Sequence, residues 1–480
     1  MIRTSLRTMQ CALLAFAMLG LVACAQTATA PAANSVVAVV GASVVHPERK
    51  NDAVDADQTI IVRNDRIEAV GPTRSIAMPE GAIVVDARGK WVIPGLVDSH
   101  VHFFQSGNLY TRPDVADFAG YVPYAKEIER NRMRLPATFK VWIASGVTSV
   151  VDIGGPFWNF EMRDIAAKTD AAPRVAVAGP LISMIADPKL DLGDPPIVEI
   201  TSPESARALA RRELAQKPDY IKVWFIHRAG EDLAHQEAIV RAASDEAHRA
   251  GVALAVHATE LDVAKAALRA GADFLVHSVM DRPIDDEFIA LAKKNHALYC
   301  PTLFVVAGYQ YALSNSWKPT ASELRFADPQ IVASMGDLAR MPADAIPANV
   351  AKRMAQPGTI GPPDVAMKNL LAVANAGITI VMGTDAGNIG TLHGPSVFRE
   401  MALMQQAGLP PLDVLRAATA NGALSMRRED EIGAIAVGRR ADLVIVDADP
   451  TIDIDNASRI HRVVKNGRVY DPDALVRSIR

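Results

Sequence analysis

Cysteine is scarce: 480 residues include only three, at positions 11, 24 and 300. The first two fall in an N-terminal segment that reads as a leader, which leaves Cys300 as the single internal thiol. One thiol makes no intramolecular disulfide framework, so stability has to come from the core or from bound metal. Cys300 itself reads as a small, buried, apolar side chain. Runs of consecutive basic residues are also missing. With a formal net charge of −4, the chain carries no electrostatic footprint for nucleic acid, and that class of partner is set aside. The apolar run Cys11 to Val22 is too short to cross a bilayer as a mature helix, and Arg3 and Arg7 precede it as in an export signal.

That leader ends in Leu21-Val22-Ala23-Cys24, which resembles the bacterial lipobox, in which the cysteine is acylated and becomes the new N-terminus. Residues 1–24 are then a signal peptide, Cys24 the lipidation site and residues 25–35, rich in Ala and Thr, a tether. A diacylated cysteine supplies the two chains that stable anchoring takes. The expected location is the periplasmic side of a bacterial membrane, with the lipid anchor as the only membrane contact. Plain cleavage after Ala23-Cys24-Ala25 is the alternative.

Half of the residues are hydrophobic, enough for one large domain and a smaller one. Val36 to Val45, Thr59 to Val70 and Ile83 to Ala87 are β-branched runs separated by turn residues such as Asn64-Asp65, and Ala441 to Asp447 and His461 to Val469 repeat that texture. Both chain ends therefore read as one small β-sandwich, residues 36–90 and 431–480. Between them, residues 91–430 alternate short apolar strands with helical stretches. Candidate strands are Trp91 to Val97, Thr148 to Ile153, Arg174 to Ala178, Tyr220 to Phe225, Ala253 to His257, Phe274 to His277, Leu298 to Thr302 and Ile378 to Met382. The fold class is α/β, and the number of strands is that of a (β/α)8 TIM barrel. A helix is expected from Pro203 to Gln216, with Ser202 as its cap. Residues 307–363 are too long for a connecting loop and follow the seventh strand on the face where barrel active sites form, so they read as a lid-like insertion; a disordered loop is the alternative.

The chemistry-bearing residues cluster at strand ends. His100 and His102 are two apart and project to the same side of a strand. In Tyr220-Ile-Lys-Val-Trp224, alternation sends Ile221, Val223 and Phe225 toward the surrounding helices and leaves Lys222 facing the interior. A buried ammonium needs a carboxylate partner or loses its proton. A neutral amine can take up CO2 as a carbamate, an anionic ligand with two oxygens; a salt-bridged structural lysine is the other reading. His257, His277 and Asp385 close three further strands. Six ligands are too many for one tetrahedral ion and suit two divalent cations about 3.5–4 Å apart, with Zn2+ or a similar ion matching the donor types.

These motifs, "PGLVDSHVH", "GVTSVVDIGG", "YIKVW", "VHA", "VHS", "GTDAG", "LRAATANGA" and "IGAIAVGRRADLVIVDADP", resemble the amidohydrolase superfamily, in particular the imidazolonepropionase-like branch with metal-dependent prolyl dipeptidases and ochratoxinase-type amidases. The resemblance runs from about Val36 to the C-terminus. It implies that His100, His102 and Asp385 bind one metal, that His257 and His277 bind the other, and that carboxylated Lys222 bridges them. It further implies hydrolysis of an amide bond in a dipeptide, N-acyl amino acid or related small amide by a metal-bridging hydroxide, with Asp385 as the catalytic base and then acid. No arginine is clearly placed to hold a substrate carboxylate.

Weaker candidates for substrate contact are His393, Tyr309, His227 and Arg228, with Arg282 beside them. Two rivals remain: a mononuclear cyclic amidase or deaminase of the same fold, and a non-catalytic, surface-anchored binding protein. A homo-oligomer is left open.

Overall fold

A computed structural model describes residues 36–479; the leader, Cys24 and the tether lie outside the described residues. Val36–Val45 is valine-rich and almost wholly buried because both of its faces are covered. Alternation puts Val37 and Val39 into one apolar cluster and Val36 and Ala38 into another. The strand pairs antiparallel with Val54–Arg63 and parallel with Ile83–Asp86 and Trp91–Pro94. Trp91–Pro94 in turn pairs antiparallel with Leu443–Val446. That strand therefore joins the two chain ends into one eight-stranded mixed sheet, where the sequence suggested a sandwich of two sheets.

The run expected as the first barrel strand divides at Gly95. Trp91–Pro94 belongs to the small sheet, and Leu96–Val101 begins the barrel. A Cβ at Gly95 would lie 2.2 Å from Thr148 Oγ1, so only glycine lets the chain pass so close to the next strand.

Leu96–Val101, Val147–Asp152 and Arg174–Val177 form a parallel three-stranded sheet. Tyr220–Trp224, Ala253–His257, Phe274–Val276 and Leu298–Cys300 continue as a second parallel sheet, which the short strands Leu181–Ser183 and Ile197–Glu199 extend at one edge. Single pairings, Ala178 with Tyr220, Tyr299 with Ile380 and Val101 with Ala386, connect the two sheets and the eighth segment. The barrel is thus not one closed ladder. The eighth segment, expected as a strand over 378–382, is held by separate backbone bonds: Val381 N donates to Tyr299 O, and Ser99 N donates to Met382 O.

Strand alternation is as the sequence indicates. Ile221, Val223 and Phe225 pack among the helices, whereas Tyr220 joins Val97, Ala176 and Val381 in the interior. The helix Pro203–Leu214 begins at a Ser202–Ser205 capping box with Pro203 in the first turn, and it buries Ala206, Leu209 and Ala210.

The insertion is helical. It contains Leu303–Leu313, Ala321–Phe326, Pro329–Ser334 and Ala348–Ala355. Its Leu313, Met335, Leu338 and Val350 share an apolar cluster with Leu109, Tyr110 and Phe118 from the segment after the first barrel strand. That face of the insertion is thus buried against residues 109–118.

Candidate metal centre and active site

His100 and His102 sit at the C-terminal end of the first barrel strand and are 0 % and 6 % exposed. His102 Nδ1 lies 2.7 Å from Gly154 O. A carbonyl only accepts, so Nδ1 carries the proton and Nε2 keeps a lone pair. His277 Nδ1 pairs with Thr302 Oγ1 at 2.6 Å, which likewise turns Nε2 inward. Asp385 Oδ1 lies 3.3 Å from His100 Nε2 and 3.2 Å from His102 Nε2, and Oδ2 lies 3.9 Å from His277 Nε2. Ligand atoms of His100, His277 and Asp385 all fall within 4.8 Å of one another. The His257 and His277 rings are 4.3 Å apart, centroid to centroid. Lys222 is 1 % exposed and lines the same cavity as these residues.

The backbone is strained around this centre. His277, Thr302 and Asp385 have φ values of 77°, 43° and 61°, a region that costs a non-glycine residue on the order of 1 kcal/mol or more. Such conformations persist where surrounding contacts dictate them, and here two of the three residues present candidate ligand atoms to one point while the third orients His277.

Burial holds His100, His257 and His277 well below the usual imidazole range, and the nearby Lys222 adds to this. They are neutral and free to donate lone pairs. Burial also holds the Lys222 amine down to about 7, with Asp385 and Cys300 opposing the shift. For Asp385 burial acts upward, but His102, His277 and Lys222 outweigh it and leave the carboxyl below its ordinary value.

Three polar atoms here, His100 Nδ1, Lys222 Nζ and Asp385 Oδ1, are buried without a hydrogen-bond partner. Buried polar atoms are rarely left so. The Nε2 atoms of His100, His102 and His277 stand around the Asp385 carboxylate, with His100 Nε2 3.3 Å from His102 Nε2; imidazole nitrogens and a carboxylate are donors that a divalent cation such as Zn2+ takes, so the donor set fits a metal.

One supporting residue escaped the sequence reading. Asp98 Oδ1 accepts from His100 N and Thr384 N, and its Oδ2 accepts from Thr384 Oγ1 at 2.6 Å. It thereby ties the His-x-His strand to the segment carrying Asp385. Its signal was available: Asp98 precedes His100 by two and shares its side of the strand.

The cavity measures about 490 Å³. Tyr309 lines it, and so do Arg112 and Arg353, which the sequence did not point to. His393 is not in that wall; its Nε2 donates to His102 O at 3.2 Å and so steadies the first strand end. His227 and Arg228 do not line the cavity either. His227 pairs with Gln236, and the Arg228 amide donates to Glu231. Arg282 is tied up with Asp262 outside the site.

The model of the amidohydrolase family matches residues 91–470. The chain belongs to the amidohydrolase family. An imidazolonepropionase of Streptococcus pyogenes serotype M2 (strain MGAS10270) is 36 % identical over 101 residues, 20 % of this chain and 23 % of that protein. The chain thus spans less than a quarter of that relative's length. Among solved structures, a candidate prolidase from Bifidobacterium longum is 25 % identical with a TM-score of 0.66, covering 93 % of this amidohydrolase and 99 % of its own chain. A Xaa-Pro dipeptidase with methionine bound in its active site is 24 % identical with a TM-score of 0.66, covering 91 % and 100 %. These similarities fit the imidazolonepropionase-like branch, and the structural likenesses carry a TIM-barrel fold.

Proposed function

We propose that this amidohydrolase hydrolyses the amide C–N bond of a small substrate such as a dipeptide or N-acyl amino acid, with two divalent ions, Zn2+ or similar, as cofactors. His100, His102 and Asp385 would hold one ion, His257 and His277 the other, and Lys222, carboxylated by CO2, would bridge them. The observation that carries this reading is the convergence of His100, His277 and Asp385 within 4.8 Å beside a buried lysine whose Nζ has no partner.

When bound, such ions supply a nucleophile at neutral pH and polarise the carbonyl. The chain does the rest. Gly154 O fixes which nitrogen of His102 faces the site, and Thr302 orients His277. Burial keeps Lys222 close to the neutral amine that reacts with CO2. Asp385, held as a carboxylate, accepts the proton from the nucleophile and returns it to the departing nitrogen. The helical insertion supplies Tyr309, Leu313, Asn349, Val350 and Arg353 to the cavity wall. Cys24, by acylation, would tether the enzyme on the periplasmic side of a bacterial membrane.

One observation favours a second reading, a mononuclear cyclic amidase or deaminase: the three groups whose ligand atoms meet within 4.8 Å make a complete set for a single ion. Metal content separates the two. Protein lacking residues 1–24 should carry about two divalent ions per chain in bicarbonate buffer, and Lys222→Ala should lose metal and amide hydrolysis together. One ion per chain in both proteins would discard the bridge and put the mononuclear reading first.

A further inference from the structure

Resting on the amide-hydrolase reading, we propose that Arg353 receives an anionic group of the substrate, so that the scissile amide joins a bulky apolar portion to a portion bearing a carboxylate. Asn349, Val350 and Arg353 lie on one side of the Ala348–Ala355 helix, at spacings of one and four, and all three line the 490 Å³ cavity. The first two dock the helix. Val350 is 1 % exposed within the cluster that joins the insertion to residues 109–118, and Asn349 Nδ2 donates to Val115 O at 2.9 Å. Arg353, one turn further on, is exposed and makes no hydrogen bond or ion pair with any described residue.

The other arginine of the wall is committed. Arg112 forms a two-point pair with Asp114, through Nε at 2.8 Å and Nη2, while its Nη1 donates to Asn388 Oδ1 at 2.7 Å and to Tyr309 Oη at 3.2 Å. Among the residues lining the cavity, Asp385 is the only carboxylate, and the metal-centre reading already uses it. Much of the remaining wall is apolar, with Phe104, Trp224, Met280, Val305 and Leu313. A carboxylate matches the two-donor fork of a guanidinium, and a helix docked at two points fixes the position from which the Arg353 side chain reaches into the cavity. The cavity therefore offers an apolar body site, a hydrolytic centre and one uncommitted cation.

The test compares kcat/KM of the metal-loaded enzyme for matched N-phenylacetyl amino acids presented as free carboxylate and as carboxamide. The carboxylate should be preferred by roughly ten-fold, the scale of one charge-assisted hydrogen bond. In Arg353→Ala that ratio should fall to near one, Arg353→Lys should keep part of it, and Lys352→Ala, an exposed neighbour outside the cavity wall, should keep all of it. Calorimetric binding of 4-phenylbutyrate and of its amide gives a second readout that needs no turnover. Hydrolysis without charge preference, or a preference untouched in Arg353→Ala, overturns the inference and leaves the amide-hydrolase reading standing. Phenylbutyrate binding that weakens in Arg353→Ala, with no amide hydrolysed, upholds the anion site and overturns that reading. Equal binding by wild type and Arg353→Ala overturns the inference outright.

Discussion

Gly383→Ala probes whether the floor of the site is packed as described. Gly383 lies at the end of the eighth segment, two residues before Asp385, and its φ is not in the left-handed region, so alanine meets no backbone objection. Space is the obstacle. An added Cβ would stand 2.5 Å from Cys300 Sγ, 2.8 Å from His100 N and 2.9 Å from His100 Cβ. Comfortable carbon contacts begin near about 3.5 Å, so each neighbour must give way by about 1 Å or less. Two of the three atoms belong to His100, whose amide is bonded to Asp98 and whose carbonyl accepts from Asp385 N at 2.7 Å. The strand cannot yield without moving a candidate ligand. Overpacking of this kind costs about 1–3 kcal/mol, and the displacement should reduce metal retention against a chelator as well. Urea unfolding and metal content per chain measure the two effects. Cys300→Ala in the Gly383→Ala background relieves the sulfur contact alone and should recover part of the stability while the His100 contacts keep metal retention low. A variant that unfolds and holds metal like the wild type would refute this close approach of the eighth segment to His100.

Two other predictions lie further from the candidate metal ligands. Glu400, fully buried, accepts from Leu303 N and Phe304 N, both at 2.8 Å, and so fastens the start of the insertion directly after Thr302; Glu400→Ala should cost about 3 kcal/mol in urea unfolding by leaving both amides unpaired, and Glu400→Gln should cost less. Burial holds the Lys465 amine down to about 7, with Asp442 opposing and Arg174 assisting. Its folded value is below that of the unfolded chain, so the unfolded state binds more protons between about pH 7 and 10, and stability contributed by this residue rises with pH across that window. Lys465→Met should therefore be more stable than the wild type near pH 7, by up to several kcal/mol, and the difference should shrink toward pH 10; a difference that does not change with pH would refute the buried-amine account.

Much of the candidate centre could be read from the chain because barrel residues that meet in space lie at strand ends. Period-two alternation separates Lys222 from Ile221 and Val223 without any knowledge of tertiary contacts, and His257 and His277 each end a short apolar run. What was not legible depends on partners distant in sequence. Thr302, 25 residues on from His277, meets its Nδ1 from a left-handed backbone position that no sequence pattern signals. The Trp91 to Val97 run is apolar throughout, and periodicity could not show that it serves two sheets. The small domain is one sheet because Trp91–Pro94 takes partners from both chain ends, a choice made by long-range pairing. His227 and Arg228 follow the fourth strand as active-face residues do, yet Gln236 and Glu231 hold them in the loop.

The two arginines of the cavity show why its wall was the hardest part to read. Arg112 precedes the first barrel helix, Tyr124–Ala144, and Arg353 lies in the insertion; neither is in a strand, so no alternation rule says where they point. Their positions follow from the apolar cluster that packs Leu313 and Val350 against Leu109 and Phe118. Hydrophobic contacts between two non-barrel segments thus decide which cation is spent on Asp114 and which faces the cavity. The candidate ligands, by contrast, depend on backbone bonds at strand ends, such as Asp385 N to His100 O and His277 N to Cys300 O. On the proposed reading, metal binding and substrate choice would rest on separate sets of interactions, and changes in the insertion should alter the cavity wall while the candidate ligands keep their places.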